Sequence, residues 1–507
     1  MILIHPPVAK PSEPPAGIAR LSGALRAHGV SHRVLDANLE GLLYLLRGAA
    51  SRSAEGLDTW TRRALRNIPK NLMTMREIAS YRVPDRYKRA VMDLGRAVES
   101  SCPGTGITLG LANYQRPDLS PLRSADLIFA AEHPELDPFH PYFNKRIEGL
   151  IEESMPSVVG FSLNYLSQAL TTFSMIGHLK EILPKAAIVL GGGLVTSWMR
   201  GPAWKDPFQG LVDRLVAGPG EGPLLSMMGI DDASDTRFAP DYGAFAMRDY
   251  LSPGAVLPYA ASAGCYWNRC SFCPEGAEGN PYMPLPPQRV LSDLGAILPQ
   301  TNPVLIHLLD NAISPSLLKA LADNPPGVPW YGFARFSRAL ADIDFCTALR
   351  RSGCAMLKLG LESGDQDVLD RMQKGIDLST ASAALKTLKK TGIAAYVYLL
   401  FGTPEETLPS ARKTLDFTVR HKGEIGFMNI AVFNMPVNAV PPGIEAGGFY
   451  EGDLSLYTDF VHPSGWDRRA VRNFLENEFK RDKAVSAILR KDPPIFTSNH
   501  APFFCTR

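Results

Sequence analysis

Twice along the chain, short apolar runs alternate with stretches of helical periodicity, and that alternation limits the fold to parallel α/β sheets. The first series opens with a strand at 2–4, turns at Pro6 and Pro7 into an amphipathic helix at 17–28, and returns to a strand at 33–35. It resumes downstream with strands at 158–163, 187–190 and 214–217 and a helix at 168–183. The expected product is a doubly wound, Rossmann-like sheet. The second series places strands at 257–262, 304–309, 330–336, 356–360, 394–401 and 427–433, with helices such as 290–298, 381–390 and 409–420 between them. Six βα-type units fall short of the eight that close a barrel, so a partial, open (β/α)6 TIM-type barrel is expected.

The domain plan follows. Residues 1–240 form the first α/β domain, interrupted by a helical insertion at about 41–155, because a compact domain rarely carries so long a structureless loop. A Pro/Gly-bearing stretch at 240–258 reads as a linker, 250–440 as the barrel, and 441–507 as a small C-terminal helical extension with one helix at 466–489. The Arg-rich stretches at 62–66 and 86–96 read as solvated helix faces.

Composition narrows the partners. In 507 residues, 53 Lys+Arg against 51 Asp+Glu leave a formal charge of +2, which favours neither nucleic acid nor a membrane surface. The apolar start is too short for a signal peptide. The uncharged run at 425–444 carries Pro436, Pro441 and Pro442 among three Asn, which a membrane helix would not tolerate. A cytoplasmic chain with reduced thiols is expected. Pro, at 42 residues, exceeds the usual ~5% and points to long connections.

Seven Cys are present, and Cys265, Cys270 and Cys273 crowd into nine residues directly after the first strand of the second series. Such clusters bind metal. Zinc prefers four ligands and an iron–sulfur cube is usually held by four thiolates, yet no fourth Cys lies nearby. Three thiols on a cube leave one iron open. The alternative is a zinc knuckle completed by His307 or Cys505. In the first domain, glycine clusters at Gly191-Gly192-Gly193 and Gly220-Glu221-Gly222 fall at strand carboxyl ends, where ligands of doubly wound sheets sit. A nucleotide site, or no ligand at all, also accommodates them.

The Cys triad, with Phe272 before its last member, resembles the radical S-adenosylmethionine (SAM) superfamily. Further segments similar to that family follow in order: Leu308-Leu309-Asp310-Asn311, Gly360-Leu361-Glu362-Ser363-Gly364, the helix from Asp367 to Met372 with Lys374-Gly375, and Leu400-Phe401-Gly402-Thr403-Pro404-Glu405-Glu406. The first domain with its glycine clusters is similar to the cobalamin-binding domain of the B12-dependent branch. Two features depart from the pattern. Four residues separate the first two Cys where three are commonest, and no Asp-x-His-x-x-Gly motif supplies a histidine to cobalt.

The resemblance implies that Cys265, Cys270 and Cys273 hold a [4Fe–4S] cluster whose open iron chelates SAM. One electron from a donor such as flavodoxin or ferredoxin then cleaves SAM to a 5′-deoxyadenosyl radical. Phe272 would pack near adenine, and Glu362 and Ser363 would hold the methionine or ribose part, with Arg335 and Asn434 as further SAM contacts. Ser162, Gly191, Gly192, Gly193, Gly220, Glu221 and Gly222 would line cobalamin. The expected reaction is methylation of an unactivated carbon of a small-molecule or peptide substrate. The alternatives are a B12-dependent rearrangement or cyclisation, a radical SAM enzyme without cobalamin, and a non-enzymatic metal-binding protein. Cys346 and Cys354 read as buried apolar thiols. The tail with His500 and Cys505 reads as an aromatic strap in preference to an active-site lid.

Overall fold

Five strands of the first series, β1 (Ile2–His5), β2 (Arg33–Asp36), β3 (Val158–Ser162), β4 (Ala187–Gly191) and β5 (Arg214–Val216), pair in parallel in the order β2-β1-β3-β4-β5. The structure is a computed structural model that describes all residues except 53–54, 105, 203, 231–237, 448–451 and 506–507. It divides into two units, Met1–Ala255 with Tyr450–Leu456, and Val256–Phe449 with Tyr457–Arg507.

In the first unit, β1 and β3 are buried at every position, as central strands covered on both faces must be. The edge strands β2 and β5 begin at exposed Arg33 and Arg214. Strand order reverses between β1 and β3, which makes the sheet doubly wound with its switch point there. Helices Ala37–Ala50, Thr59–Arg66, Ile68–Arg76, Pro84–Glu99, Ser124–Glu132 and His140–Ser154 lie between β2 and β3 in sequence. Some of their arginines form ion pairs: Arg63 reaches Asp93 at 2.8 Å, and Arg96 reaches Asp58 at 3.0 Å and Glu99 at 2.9 Å.

The stretch expected to be a linker is tied down. Asp241 N–H donates to the Ala19 carbonyl at 2.8 Å, Leu251 N–H to Pro11 at 2.8 Å, and Tyr250 Oη to Asp36 at 2.5 Å. Its Tyr242, Phe245 and Tyr250 are buried, so apolar side chains, which the Pro and Gly content masks, decide its placement.

The second unit is built on β6 (Val256–Tyr259), β7 (Leu305–Leu308), β8 (Trp330–Ala334), β9 (Cys354–Glu362), β10 (Ala394–Phe401) and β11 (Ile425–Val432). Each pairs in parallel with the next in sequence, leaving β6 and β11 as the two edges. Five helices of this unit start on side-chain caps: Ser314, Asp342, Asp365, Asp377 and Thr407 each accept a backbone N–H from the first turn of the following helix.

The C-terminal part departs from a single helix over 466–489. Helix Arg468–Phe474 loosens into a π-helical turn at Leu475–Phe479, and a new helix, Lys483–Leu489, starts where Asp482 caps Ala484 and Val485. The looser turn buries Phe479 edge-on against Phe401, with centroids 5.1 Å apart. In the tail, His500 is fully buried and stacks on Phe496 at 4.1 Å. Cys346 and Cys354 are fully buried, and burial pushes both thiols up, Cys346 to about 11. Among the described residues no helix is long and apolar enough to cross a membrane.

Candidate active site

The three clustered cysteines lie on a loop leaving the carboxyl end of β6, and the loop is held at both flanks. At its base, the buried Asp310 accepts from Ala261 N–H at 3.1 Å and Ser262 Oγ at 2.5 Å. Ser262–Ala263 also pairs antiparallel with Met283–Pro284. At its far side, Ser271 N–H donates to the Met372 carbonyl at 3.1 Å and Trp267 Nε1 to the Gln373 carbonyl at 2.9 Å. Gly375 is what permits this approach. Its φ is +65°, and a Cβ there would lie 1.9 Å from the Trp267 ring.

Cys265, Cys270 and Cys273 are free and half-buried. Burial pushes Cys270 up, with Lys374 and Arg335 pulling it down and Glu362 adding to the rise. Burial also raises Cys273, while backbone N–H groups of Glu275 and Gly276 oppose it and the two other thiols reinforce it. Among the described residues, no three His, Cys, Asp or Glu side chains converge closely enough to hold a metal ion as they stand. The two alternative fourth ligands are engaged elsewhere. His307 Nε2 lies 2.9 Å from Lys358 Nζ and its ring stacks on Tyr331, while Cys505 Sγ donates to the Ala501 carbonyl.

Glu362 ends β9 at a register shift and holds a left-handed φ of 64°, a strained conformation for a residue with a side chain. Its Oε1 accepts from Lys374 Nζ at 2.7 Å, and both side chains are largely buried. Lys374 Nζ also stands 5.5 Å from the centre of the Phe272 ring. Arg335 lies 4.4 Å above the Trp267 ring and donates to the Lys374 carbonyl. Thus Cys270, Phe272, Arg335, Glu362 and Lys374 form one neighbourhood. Lys374 was legible only as part of a helix-end motif, since nothing in spacing says that its amine turns back onto Glu362.

Ser363 and Asn434, also expected to contact SAM, have protein partners here. Ser363 is fully buried, its hydroxyl 3.3 Å from Thr414 Oγ1 and accepting from Asp365 N–H at 3.1 Å. Asn434 turns its Oδ1 to Arg468 Nη1 at 2.6 Å, in a cavity of about 490 Å³ that Gly402, Phe433, Phe460 and Trp466 also line.

In the first unit, Ser162 and Gly191 are direct partners at the carboxyl edge of the sheet. Gly192 follows with φ +112°, and a Cβ there would come within 2.3 Å of the Leu163 carbonyl oxygen. Gly193 N–H donates to Asn164 Oδ1 at 3.0 Å. Gly220 precedes helix Glu221–Met227, and Glu221 is bound by Arg20 on helix Ala16–Ala27. Gly222 is crowded by nothing within 4 Å of a built Cβ. Loops after β1 and β3 meet at the switch point, where Gln168 Nε2 donates to Pro6 at 2.7 Å and Ser167 Oγ to Val8 at 2.8 Å.

No protein-family model matches the chain. It is 24% identical over 188 residues to an uncharacterized methyltransferase of Pyrococcus horikoshii, covering 35% of this chain and 40% of that one. It is also 24% identical over 213 residues to the anaerobic magnesium-protoporphyrin IX monomethyl ester cyclase of Rubrivivax gelatinosus, covering 40% of this chain and 36% of that one. The chain therefore spans at most 40% of the length of these curated relatives. Among solved structures, the radical SAM methyltransferase TsrM from Kitasatospora setae, with tryptophan and a SAM analogue bound, aligns over 94% of this chain and 88% of its own at TM-score 0.51 and 14% identity. The cobalamin-dependent radical enzyme OxsB, with cobalamin and SAM bound, aligns over 83% of this chain and 52% of its own at TM-score 0.50 and 14% identity. Identity at that level speaks to fold alone: this chain has an α/β fold with parallel sheets, similar to that of these two enzymes.

Proposed function

We propose that the chain is a cobalamin-dependent radical SAM enzyme that methylates an unactivated carbon of a small molecule. The observation that carries this reading is the neighbourhood around Cys270: three free thiols on one anchored loop, two cations beside them, and a strained carboxylate within reach. The donor set fits an iron–sulfur cluster. Three soft thiolates on a loop at a strand's carboxyl end hold a cube with one position open, and Arg335 and Lys374 offset its negative charge.

In this reading, Cys265, Cys270 and Cys273 hold the [4Fe–4S] cluster, Glu362 receives the polar end of SAM, and Phe272 packs against its adenine. When bound, the cluster and cobalamin supply one-electron cleavage of SAM and a transferable methyl group. The chain's own part is placement. Trp267 and Gly375 fix the loop, Asp310 fixes its base, and the Glu362–Lys374 pair keeps the carboxylate aimed before SAM arrives. Ser363 supports the turn after Glu362 through Thr414. Consecutive strand order in the second unit supports a partial barrel, because repeated right-handed crossovers put every helix on one face. The 1–240 domain would take cobalamin, with Ser162, Gly191–Gly193, Gly220, Glu221 and Gly222 as the residues that would hold it, and an external donor would supply the electron.

The match to a magnesium-protoporphyrin ester cyclase supports a second reading, ring formation without methyl transfer. Anaerobic reconstitution with iron, sulfide and hydroxocobalamin, followed by SAM and dithionite, separates the two. Methyl transfer requires S-adenosylhomocysteine together with 5′-deoxyadenosine by mass spectrometry. Cyclisation yields 5′-deoxyadenosine alone, and neither product would overturn both readings.

A further inference from the structure

We propose that the helical hairpin of the first unit, Ile68–Arg76 and Pro84–Glu99 with the turn Ile78–Arg82 between them, docks on a lipid bilayer that bears anionic headgroups. The turn enters the headgroup layer, and the cations around it meet the phosphates. This goes beyond the functional reading above and does not rest on it.

Residues 59–92 carry nine Lys and Arg against two acids, Glu77 and Asp85, a net of +7 in a chain whose whole balance is +2. The balance over the full length therefore conceals one strongly basic segment. The acids that pack with these helices are already engaged. Asp93 holds Arg63 and accepts from Trp60 Nε1 at 3.0 Å, while Asp58 and Glu99 hold Arg96. Arg62, Arg66, Lys70, Arg82 and Arg89 are exposed and, among the described residues, form no ion pair. Arg86 meets Glu77 only at 3.8 Å, and about half of each side chain is in solvent.

Among these cations stand aliphatic side chains. Ile78 and Val83 flank the turn at 47% and 52% exposure, and Ala79 and Pro84 beside them are exposed as well. Met73, 61% exposed, lies one helical turn from Lys70, and exposed Met92 one turn from Arg89. The turn is pinned from inside, so this exposure belongs to the fold. Tyr81 and Tyr87 are buried with rings 4.8 Å apart, and Tyr81 Oη donates to the Met75 carbonyl at 3.0 Å. A fixed backbone thus holds aliphatic tips outward between unpaired cations, the pattern of an element that lies in a membrane interface. A nucleic-acid surface pairs its cations with open aromatic faces on which bases stack. Here Trp60 is tied to Asp93 with Arg96 standing 5.2 Å over its ring, and both tyrosines are inside.

The test is co-sedimentation of the full chain with sucrose-loaded vesicles of phosphatidylcholine alone or with about 30% phosphatidylglycerol. We expect binding at least tenfold tighter to the anionic vesicles, weakened severalfold when salt rises from about 0.1 to about 0.5 M. Arg82→Gln with Arg89→Gln should lower the affinity at least fivefold. Ile78→Ser with Val83→Ser, which leaves the charge unchanged, should lower it at least threefold, because the aliphatic tips no longer bury in the interface. Circular dichroism checks that both double variants fold. Equal binding to the two vesicles, no binding, or wild-type affinity in either double variant overturns the proposal. Release of the chain from the vesicles by a short RNA or by polyglutamate at equal charge concentration also overturns it, and assigns the surface to a nucleic acid or an acidic protein.

Discussion

Lys374 Nζ donates to Glu362 Oε1 at 2.7 Å, closing a turn in which Glu362 sits at φ 64°. Both side chains are largely buried, so removing one leaves the other's charge without its partner. Glu362→Gln and Lys374→Met should each destabilise the chain by about 3 kcal/mol. The double variant should cost less than the sum, with a coupling of about 1–3 kcal/mol in a denaturation cycle. Additive losses would mean the pair is incidental.

Gly375→Ala should shift the cysteine loop, since the new Cβ meets the Trp267 ring and the left-handed backbone is strained as well. Iron bound after reconstitution should fall by more than half, and Trp267→Leu in the same chain should restore part of it by clearing the ring. Full iron loading in Gly375→Ala would show that the loop is not held by this contact.

Arg335→Gln removes a cation beside Cys270. A bound anionic cluster should then become harder to reduce, its potential moving more negative by tens of millivolts in a spectroelectrochemical titration. Arg335→Lys should stay near the wild-type potential. A shift of opposite sign would place Arg335 outside the cluster's field.

Glu406 is buried after β10, accepting from Gly402 N–H at 2.5 Å and Trp466 Nε1 at 2.9 Å, and burial pushes its carboxyl up to about 7. A folded-state value above the unfolded one means that the native state binds the extra proton between about pH 4.5 and 7. Stability from this group is therefore complete below that window and lost as pH rises through 7, by on the order of 3 kcal/mol. Glu406→Gln keeps an accepting oxygen and cannot ionise, so its melting temperature should gain on the wild type's between pH 5 and 8. Parallel pH profiles would contradict the assignment.

Much of the fold was legible because strand and helix periods repeat. The strand at 394–401 is observed at Ala394–Phe401, and the helix at 17–28 at Ala16–Ala27. The legible features share local causes: apolar runs, capping Asp or Ser, and Gly at turns. Features set by distant contacts were hidden. The 240–258 stretch packs by Tyr242 and Tyr250, and the last helix breaks because Phe479 is drawn onto Phe401. In the site, the motif order located Cys270, Phe272 and Glu362 together. It could not foretell that Lys374 folds back onto Glu362, that Ser363 turns to Thr414, or that Asn434 faces Arg468 across 34 residues.

The central claim concerns the three thiols, and electron paramagnetic resonance of the anaerobically reconstituted, dithionite-reduced chain tests it most directly. The account predicts a reduced [4Fe–4S] signal that changes shape when SAM is added, and no such signal in Cys270→Ala. A signal of wild-type strength in Cys270→Ala, or a wild-type signal indifferent to SAM, would contradict it.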